Sequence, residues 1–290
     1  MATGALRAKK MEELFGPVED LPTLPHVVAK IGQMTVSPQT NAADIGKLIS
    51  NDPALSSKIL RLVNSSYYGF PRKITSVTKA IVLLGFAKVK NMAISAAVVD
   101  VMRPAGGVEG FDFVQYWRHA VATAVAAEVV ARRVHPLQAD DAFVSGLLAE
   151  TGKSLMAWHL PEKYAEALRF ARQHKVIMLE AEEEVLTCNH AEVGGYLAET
   201  WNFPETLVEV IRHAPHPDDV RRDRMMIDCV HVANAMTNAL GIMGAGEALV
   251  PPLADSAWRN LKLDETVLYE LENEFLRGFE NAGAILDLAG

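Results

Sequence analysis

Apolar residues recur at helical spacing along most of the chain, and the polar breaks between them fall where helix caps belong. Leu24, Val27, Val28 and Ile31 repeat three or four apart behind Leu21-Pro22-Thr23-Leu24-Pro25, which predicts a helix over 25–34, because proline is tolerated in a first turn. The polar stretch Ser37-Pro38-Gln39-Thr40-Asn41 can cap a second helix with Ile45, Leu48 and Ile49 on one face. Asp52-Pro53 is a cap and first-turn signal for a third, carrying Leu55, Ile59, Leu62 and Val63. It ends at the ring-rich excursion Asn64-Ser65-Ser66-Tyr67-Tyr68-Gly69-Phe70-Pro71. Helices resume at Ser76, pause at Gly85 and continue to about residue 101, before the breaker-rich linker Arg103-Pro104-Ala105-Gly106-Gly107.

Helical periodicity then covers 111–134, 139–159, 161–174 and 178–186. Asn189 is placed to cap a helix reaching Trp201, Pro204 starts one to His213, and 223–240 reads as a long one. A Gly/Pro-rich stretch, 241–252, reads as a loop, flexible around Gly244-Ala245-Gly246, ahead of an acidic helix over about 264–279. The expected fold is all-α, with two packed helical subdomains. The expected divisions are an extension (1–19), an N-terminal bundle (20–103), a second bundle (104–240) and a C-terminal loop with helices (241–290).

Composition sharpens this picture. Half of the 290 residues are hydrophobic and only 7% aromatic, which favours helix on helix over aromatic-paired sheets. The net charge of −8 hides a polarity: residues 20–103 carry ten Lys/Arg against four Asp/Glu, and 104–290 carry fifteen against twenty-nine. Such halves can attract each other or orient partners. Cys188 and Cys229 form no CxxC pair, and no secretory apolar segment precedes the charged start Arg7-Ala8-Lys9-Lys10, so a reducing cytoplasm is expected. The longest Ala/Val-rich run, 120–131, contains Glu128 and meets Arg132-Arg133, short of the roughly 20 apolar residues of a membrane span. No membrane association is expected.

The chemistry centres on Ser145-Gly146-Leu147-Leu148-Ala149-Glu150-Thr151-Gly152-Lys153, about thirty residues after Trp117-Arg118-His119. In this frame the chain resembles the HD superfamily of metal-dependent phosphohydrolases, where a histidine, an adjacent His-Asp pair and a later Asp bind a divalent metal. Imidazole and carboxylate together suit metals that activate water. Here Ala149-Glu150 stands at the His-Asp pair and Asn234, in Cys229-Val230-His231-Val232-Ala233-Asn234, at the late Asp. A methyl group cannot coordinate, and a neutral amide is a weaker ligand, so catalysis is not expected.

The resemblance narrows to the HDOD family, the HD-related output domain of bacterial signalling proteins. It rests on Leu21-Pro22-Thr23-Leu24-Pro25, on the run from Asn51-Asp52-Pro53 to Leu62-Val63-Asn64-Ser65, and on Ala80-Ile81-Val82-Leu83-Leu84-Gly85. Trp117, His119, Gly152-Lys153, His190-Ala191-Glu192-Val193-Gly194, Trp201-Asn202-Phe203-Pro204 and Ile211-Arg212-His213 continue it. The resemblance implies an all-helical fold with an HD-like C-terminal bundle, usually without demonstrated catalysis, acting in signal transduction through contacts with other proteins. Related HD phosphodiesterases use extra histidines on later helices. It therefore also implies a competing reading in which His119, Glu150, His190 and His213 hold iron, manganese or zinc as an altered phosphohydrolase site for a nucleotide or cyclic dinucleotide. The plainer expectation is that each histidine is a hydrogen-bonded helix residue and that no cofactor is present.

A third reading gives the basic half a nucleic-acid surface. Tyr67 and Tyr68 could stack on bases while Arg72 and Lys73 meet phosphates, and Lys58 and Arg61 lie on the second helix of a helix-turn-helix-like pair. Against it, such rings more often plug a helix junction, Leu55, Ile59, Leu62 and Val63 make that helix mostly core, and the chain is acidic. Signalling proteins are the expected partners. No receiver or cyclase fits in the remaining residues, so input is expected from a separate chain or through the C-terminal helices.

Overall fold

Helices make up the regular structure of residues 2–34, 42–104, 106–222 and 224–289, the part described by a computed structural model. Among them there is no strand, only an isolated bridge between Val108 and Phe111. After α1 (Ala2–Phe15), the basic half comprises α2 (His26–Met34), α3 (Ala42–Ser50), α4 (Pro53–Val63), α5 (Val77–Leu84) and α6 (Phe86–Met102). The caps are largely those expected. Asp52 accepts from the Leu55 amide at 3.0 Å, Ser76 accepts from Lys79, and Gly85 takes the positive φ of 85° between α5 and α6. The proposed cap at 37–41 lies outside the described residues.

The long core helix of the acidic half is α7 (Phe113–Val134), with α8 (Ala139–Leu148), α9 (Thr151–His159), α10 (Pro161–His174), α11 (Met178–Leu186), α12 (His190–Thr200), α13 (Glu205–His213) and α14 (Met225–Ala239) around it. Short α15 (Asp255–Asn260), then α16 (Glu265–Asn281) and α17 (Gly283–Leu286) complete the chain. The continuous helix expected over 139–159 is broken at Ala149-Glu150, where Glu150 leaves helical geometry (φ −110°, ψ 18°). The break lets α9 lie against α12: a Cβ on Gly152 would come within 2.0 Å of the His190 carbonyl oxygen.

Charge polarity joins the halves. Lys88 and Lys90 of α6 reach Asp140 and Asp141 in the first turn of α8 at 3.8 and 3.2 Å, and Ser154 donates to the Met102 carbonyl. The C-terminal segment is wound into both halves: the Trp117 indole donates to the Ile285 carbonyl at 2.9 Å, and Ser66 to that of Asn281 at 3.1 Å. The Trp201 indole holds the Pro22 carbonyl at 2.7 Å, which gives two of the sequence motifs an architectural task. No helix among the described residues is long and apolar enough to cross a membrane.

The excursion after α4 is pinned by Asn64, whose side chain donates to the Leu60 and Ile74 carbonyls and accepts from the Ile74 amide at 2.7 Å. This turns Tyr67 and Tyr68 inward, contrary to the stacking-platform expectation. The Tyr67 hydroxyl donates to Glu128 at 2.5 Å, and its ring packs edge-on against Tyr68 and tilted against Phe143. The rings plug the α4–α7–α8 junction. Lys58 is ion-paired with Asp100, so of the proposed basic surface only Arg61, Arg72 and Lys73 remain on the outside.

Candidate functional site

Three of the four candidate ligands converge where α7, the α8–α9 break, α12 and α14 meet. His119 projects from α7 and is fully buried. The break turns Glu150 towards it, with Oε1 3.6 Å from His119 Nε2. His190, first residue of α12, is held by Glu182 of α11, which accepts from its amide at 2.8 Å and from Nδ1 at 2.6 Å. The fourth, His213, ends α13 and pairs with Glu209 at 3.4 Å. It does not line the cavity that Glu150 and His190 share, which corrects its place in the proposed ligand set.

The centre of the site is a side chain not counted among the candidates. Lys153 Nζ lies 3.0 Å from Glu150 Oε1 and 2.8 Å from Glu247 Oε1, with its side chain wholly enclosed. Glu247 comes from the stretch expected to be a flexible loop. Instead its Oε2 accepts the Met178 amide at 3.1 Å, Ala245 is fully buried, and Gly244 sits so close that a Cβ there would be 3.1 Å from Glu150 Oε2. The loop closes over the ion cluster. A Cβ on Gly244 would crowd Glu150, Glu247 and Lys153.

Hydrogen bonds constrain the His119 ring. The Gly244 amide can only donate, so Asn238 Oδ1 accepts it at 3.2 Å and Asn238 Nδ2 must be the group facing Asn234 Oδ1 at 2.8 Å. Asn234 Oδ1 is thus an acceptor, and His119 Nε2, 2.9 Å away, donates to it. His119 Nδ1 faces the Ile242 carbonyl at 2.7 Å and donates as well. Both ring nitrogens thus face acceptors, the arrangement an imidazolium satisfies, with the Thr123 hydroxyl 3.3 Å from Nε2.

The electrostatics agree. Burial works to lower the His119 pKa, but the Glu150 carboxylate outweighs it and holds the group above its ordinary value. Burial would raise Glu150, yet Lys153 first and His119 next keep its carboxyl well below the usual range. Burial would likewise lower Lys153, and Glu150 and Glu247 reverse this. His231, which also lines the cavity, is the neutral exception. Its Nε2 accepts the Ala254 amide at 2.9 Å, Nδ1 donates to the Ala214 carbonyl, and burial lowers its pKa.

These residues do not fit a divalent metal. Both His119 nitrogens face acceptors, Glu150 Oε1 is held by an ammonium, His231 Nε2 is used by a backbone amide and Ala149 brings no donor, which leaves Glu150 Oε2 and the outer nitrogen of His190, fewer donors than a divalent metal takes. Among the described residues no group of three or more His, Cys, Asp or Glu side chains is arranged to hold a metal ion. Sites of this kind take about four ligands. The Asn234 reading, a neutral amide at the late-Asp position, has a clear counterpart in its hydrogen bond to His119.

Lys153 was visible in the Gly152-Lys153 motif without a role. Glu247, Glu182 and Asn238 carried no periodicity or spacing signal that could bring them to the site. Both cysteines are free and buried, their thiols pushed up to about 12, chiefly by burial.

A family model for the HDOD domain matches residues 21–217. A relative in Treponema pallidum (strain Nichols), an uncharacterized protein, is 26% identical over 219 residues; the match covers 75% of this chain and 42% of that protein's length. Among solved structures, an HDOD domain protein of unknown function from Geobacter sulfurreducens superposes with a TM-score of 0.83 at 20% identity, covering 98% of both chains. A "putative signal transduction protein" from Marinobacter aquaeolei VT8 gives 0.80 at 22%, over 99% of this chain and 66% of the other. A "putative phosphohydrolase" from Shewanella amazonensis SB2B gives 0.73 at 23%, over 94% and 96%. At these identities the structural likenesses establish the fold.

Proposed function

The chain belongs to the HDOD family, and from that premise we propose that it is a non-catalytic signal-transduction module of the cytoplasm, working through contacts with other proteins. The observation that carries the reading is the Lys153 ammonium seated between Glu150 and Glu247, beside His119, whose ring nitrogens both face acceptors. A hydrolase of the HD type needs a metal to lower the pKa of water and to neutralise phosphoryl oxygen. In this cluster the cationic place is filled by the protein itself, and the groups around it are committed to holding that ammonium. What remains is a scaffold. Its bundles are joined by ion pairs and by the returning C-terminal helices, as suits a module that presents a fixed surface.

The competing reading, an altered phosphohydrolase acting on a nucleotide or cyclic dinucleotide, requires His119, Glu150, His190 and His213 to act together. The position of His213 beside Glu209 weighs against it. The nucleic-acid reading loses Lys58 to Asp100 and both tyrosines to the helix junction. Turnover of bis-p-nitrophenyl phosphate and of cyclic dinucleotides, assayed with magnesium, manganese, iron and zinc, tests the proposal. No metal-dependent turnover is expected, and turnover abolished by His119→Ala would overturn it.

A further inference from the structure

The motif Ala80-Ile81-Val82-Leu83-Leu84-Gly85 splits at the surface. Ala80 and Ile81 are buried, whereas Val82 and Leu83 are 79 and 57% exposed at the end of α5. Single exposed aliphatics are ordinary, but two adjacent ones on a helix end, with half-buried Leu84 and Phe86 next in the chain, form an apolar patch. Lys79 precedes Val82 and Leu83 by three and four residues and so flanks both on the helix surface. α3 packs alongside, where a Cβ on Gly46 would lie 3.3 Å from the Ile81 side chain, and the next residue, Lys47, is exposed. Asp44 is the one acidic residue of these two helices, and exposed Arg72 and Lys73 precede α5.

α16 offers the complement. Its Leu271 and Phe275 are buried, and Gly278 approaches Val125 of α7, so the opposite face looks outward. Tyr269 and Leu276, seven residues apart and therefore on one side of the helix, are 69 and 40% exposed and line a shallow hollow with Asn273. Glu270, Glu274 and Glu280 border that hollow, against a single cation, Arg277. Glu270 also meets Arg133 of α7 at 3.7 Å, a pair more than half exposed on both sides. Over its whole length α16 carries five glutamates and one arginine.

We propose that the chain self-associates through these faces, the α5 patch of one copy seated against the outer face of α16 on a second copy. Charge complementarity selects this pairing. A second α5 would set Lys79 against Lys79, and a second α16 would set glutamates against glutamates. The exposed run Leu249, Val250 and Leu253 lies on a stretch whose one acid, Glu247, is bonded to Lys153 and cannot answer the lysines. Each copy carries both faces, so a pair related by a twofold axis makes the contact twice. This goes beyond the signalling reading and does not depend on it, since self-association leaves the turnover assay unaffected as the test of catalysis.

Sedimentation velocity of the full chain over a range of concentrations, at low and at high sodium chloride, tests the proposal. A reversible dimer is expected, weakened by salt because the flanking charges are exposed. Leu83→Glu on α5 and Tyr269→Lys on α16 are each expected to weaken it at least tenfold, with circular dichroism and Tm reporting intact folds. The decisive arm mixes the two variants. Each keeps the face that the other has lost, so the mixture is expected to associate more tightly than either variant alone. A chain that stays monomeric at every concentration, or a dimer that salt tightens, overturns the proposal. So does a dimer that either folded variant leaves unchanged, or a mixture no tighter than its components, the result for α5 meeting α5 or α16 meeting α16.

Discussion

Lys153→Met keeps the aliphatic stem and deletes the ammonium shared by two buried carboxylates. The Lys153, Glu150 and Glu247 side chains are 0, 5 and 3% exposed, so solvent screening relieves little of the loss. Removing one partner of a buried ion pair costs about 3–5 kcal/mol, a large share of the 5–15 kcal/mol typical of a folded domain. At roughly 2–4 °C per kcal/mol for a chain of this size, Tm at pH 7.5 should fall by about 6–20 °C.

The pH dependence makes the test specific. In the parent protein the lowered Glu150 pKa contributes stability that is present above its unfolded value of about 4.3 and lost only as pH falls through its lower folded value. The raised Lys153 pKa contributes stability that is full below about 10.4 and lost as pH rises through its folded value. Between those limits the pair is flat. Without the ammonium, burial lifts the Glu150 carboxyl above about 4.3, the folded state binds more protons than the unfolded, and stability should rise as pH falls from 8 to 5. Melts of both proteins at pH 5, 6.5 and 8 by circular dichroism measure this. A Tm loss under about 2 °C, or a larger loss at pH 5 than at pH 8, would refute the reasoning.

Three other substitutions read separate parts of the structure. Gly152→Ala would drive a Cβ to 2.0 Å from the His190 carbonyl and 2.8 Å from the Gly194 amide, backbone that has little room to give. It should cost about 3 kcal/mol or more, and a Tm within 2 °C of the parent would contradict that contact. His231 has a lowered pKa, so its unfolded form takes the proton first; the stability it contributes is full above about 6.5 and declines as pH drops towards its folded value. His231→Gln should therefore shallow the loss between pH 6.5 and 5 in urea melts, and parallel slopes would count against a neutral His231. Tyr67→Phe removes the hydroxyl bond to Glu128 and should lower stability by about 1.5 kcal/mol in the same melts, with no effect expected if the hydroxyl faces water instead.

Local signals reported local structure well. Asp52-Pro53 and Asn189 cap the helices they precede, and Ser76 and Asp264, read only as helix starts, cap theirs too, because capping depends on a few adjacent residues. The basic and acidic halves meet through Lys88, Lys90, Asp140 and Asp141, an attraction legible in the charge pattern. His119, Glu150 and His190 could be nominated from the family frame. The α8–α9 break was not legible, since 139–159 keeps helical periodicity and the close approach of α12 to Gly152 is a tertiary contact. Nor was the closure of 241–252, because glycine-rich composition signals freedom, and only the packed bundle shows that Gly244 lets the backbone approach Glu150 and Lys153. His213 fell away for a related reason: from the last turn of α13 it pairs with Glu209, one turn back, and does not line the cavity that Glu150 and His190 share.

The central claim is that the protein's own lysine supplies the cation of this site. Elemental analysis of chain purified without chelators, paired with Tm in the presence and absence of EDTA, tests it most directly. The account predicts far less than one iron, manganese or zinc per chain and no change in Tm with EDTA. One tightly bound metal per chain, lost in His119→Ala and stripped by EDTA with a fall in Tm, would contradict it.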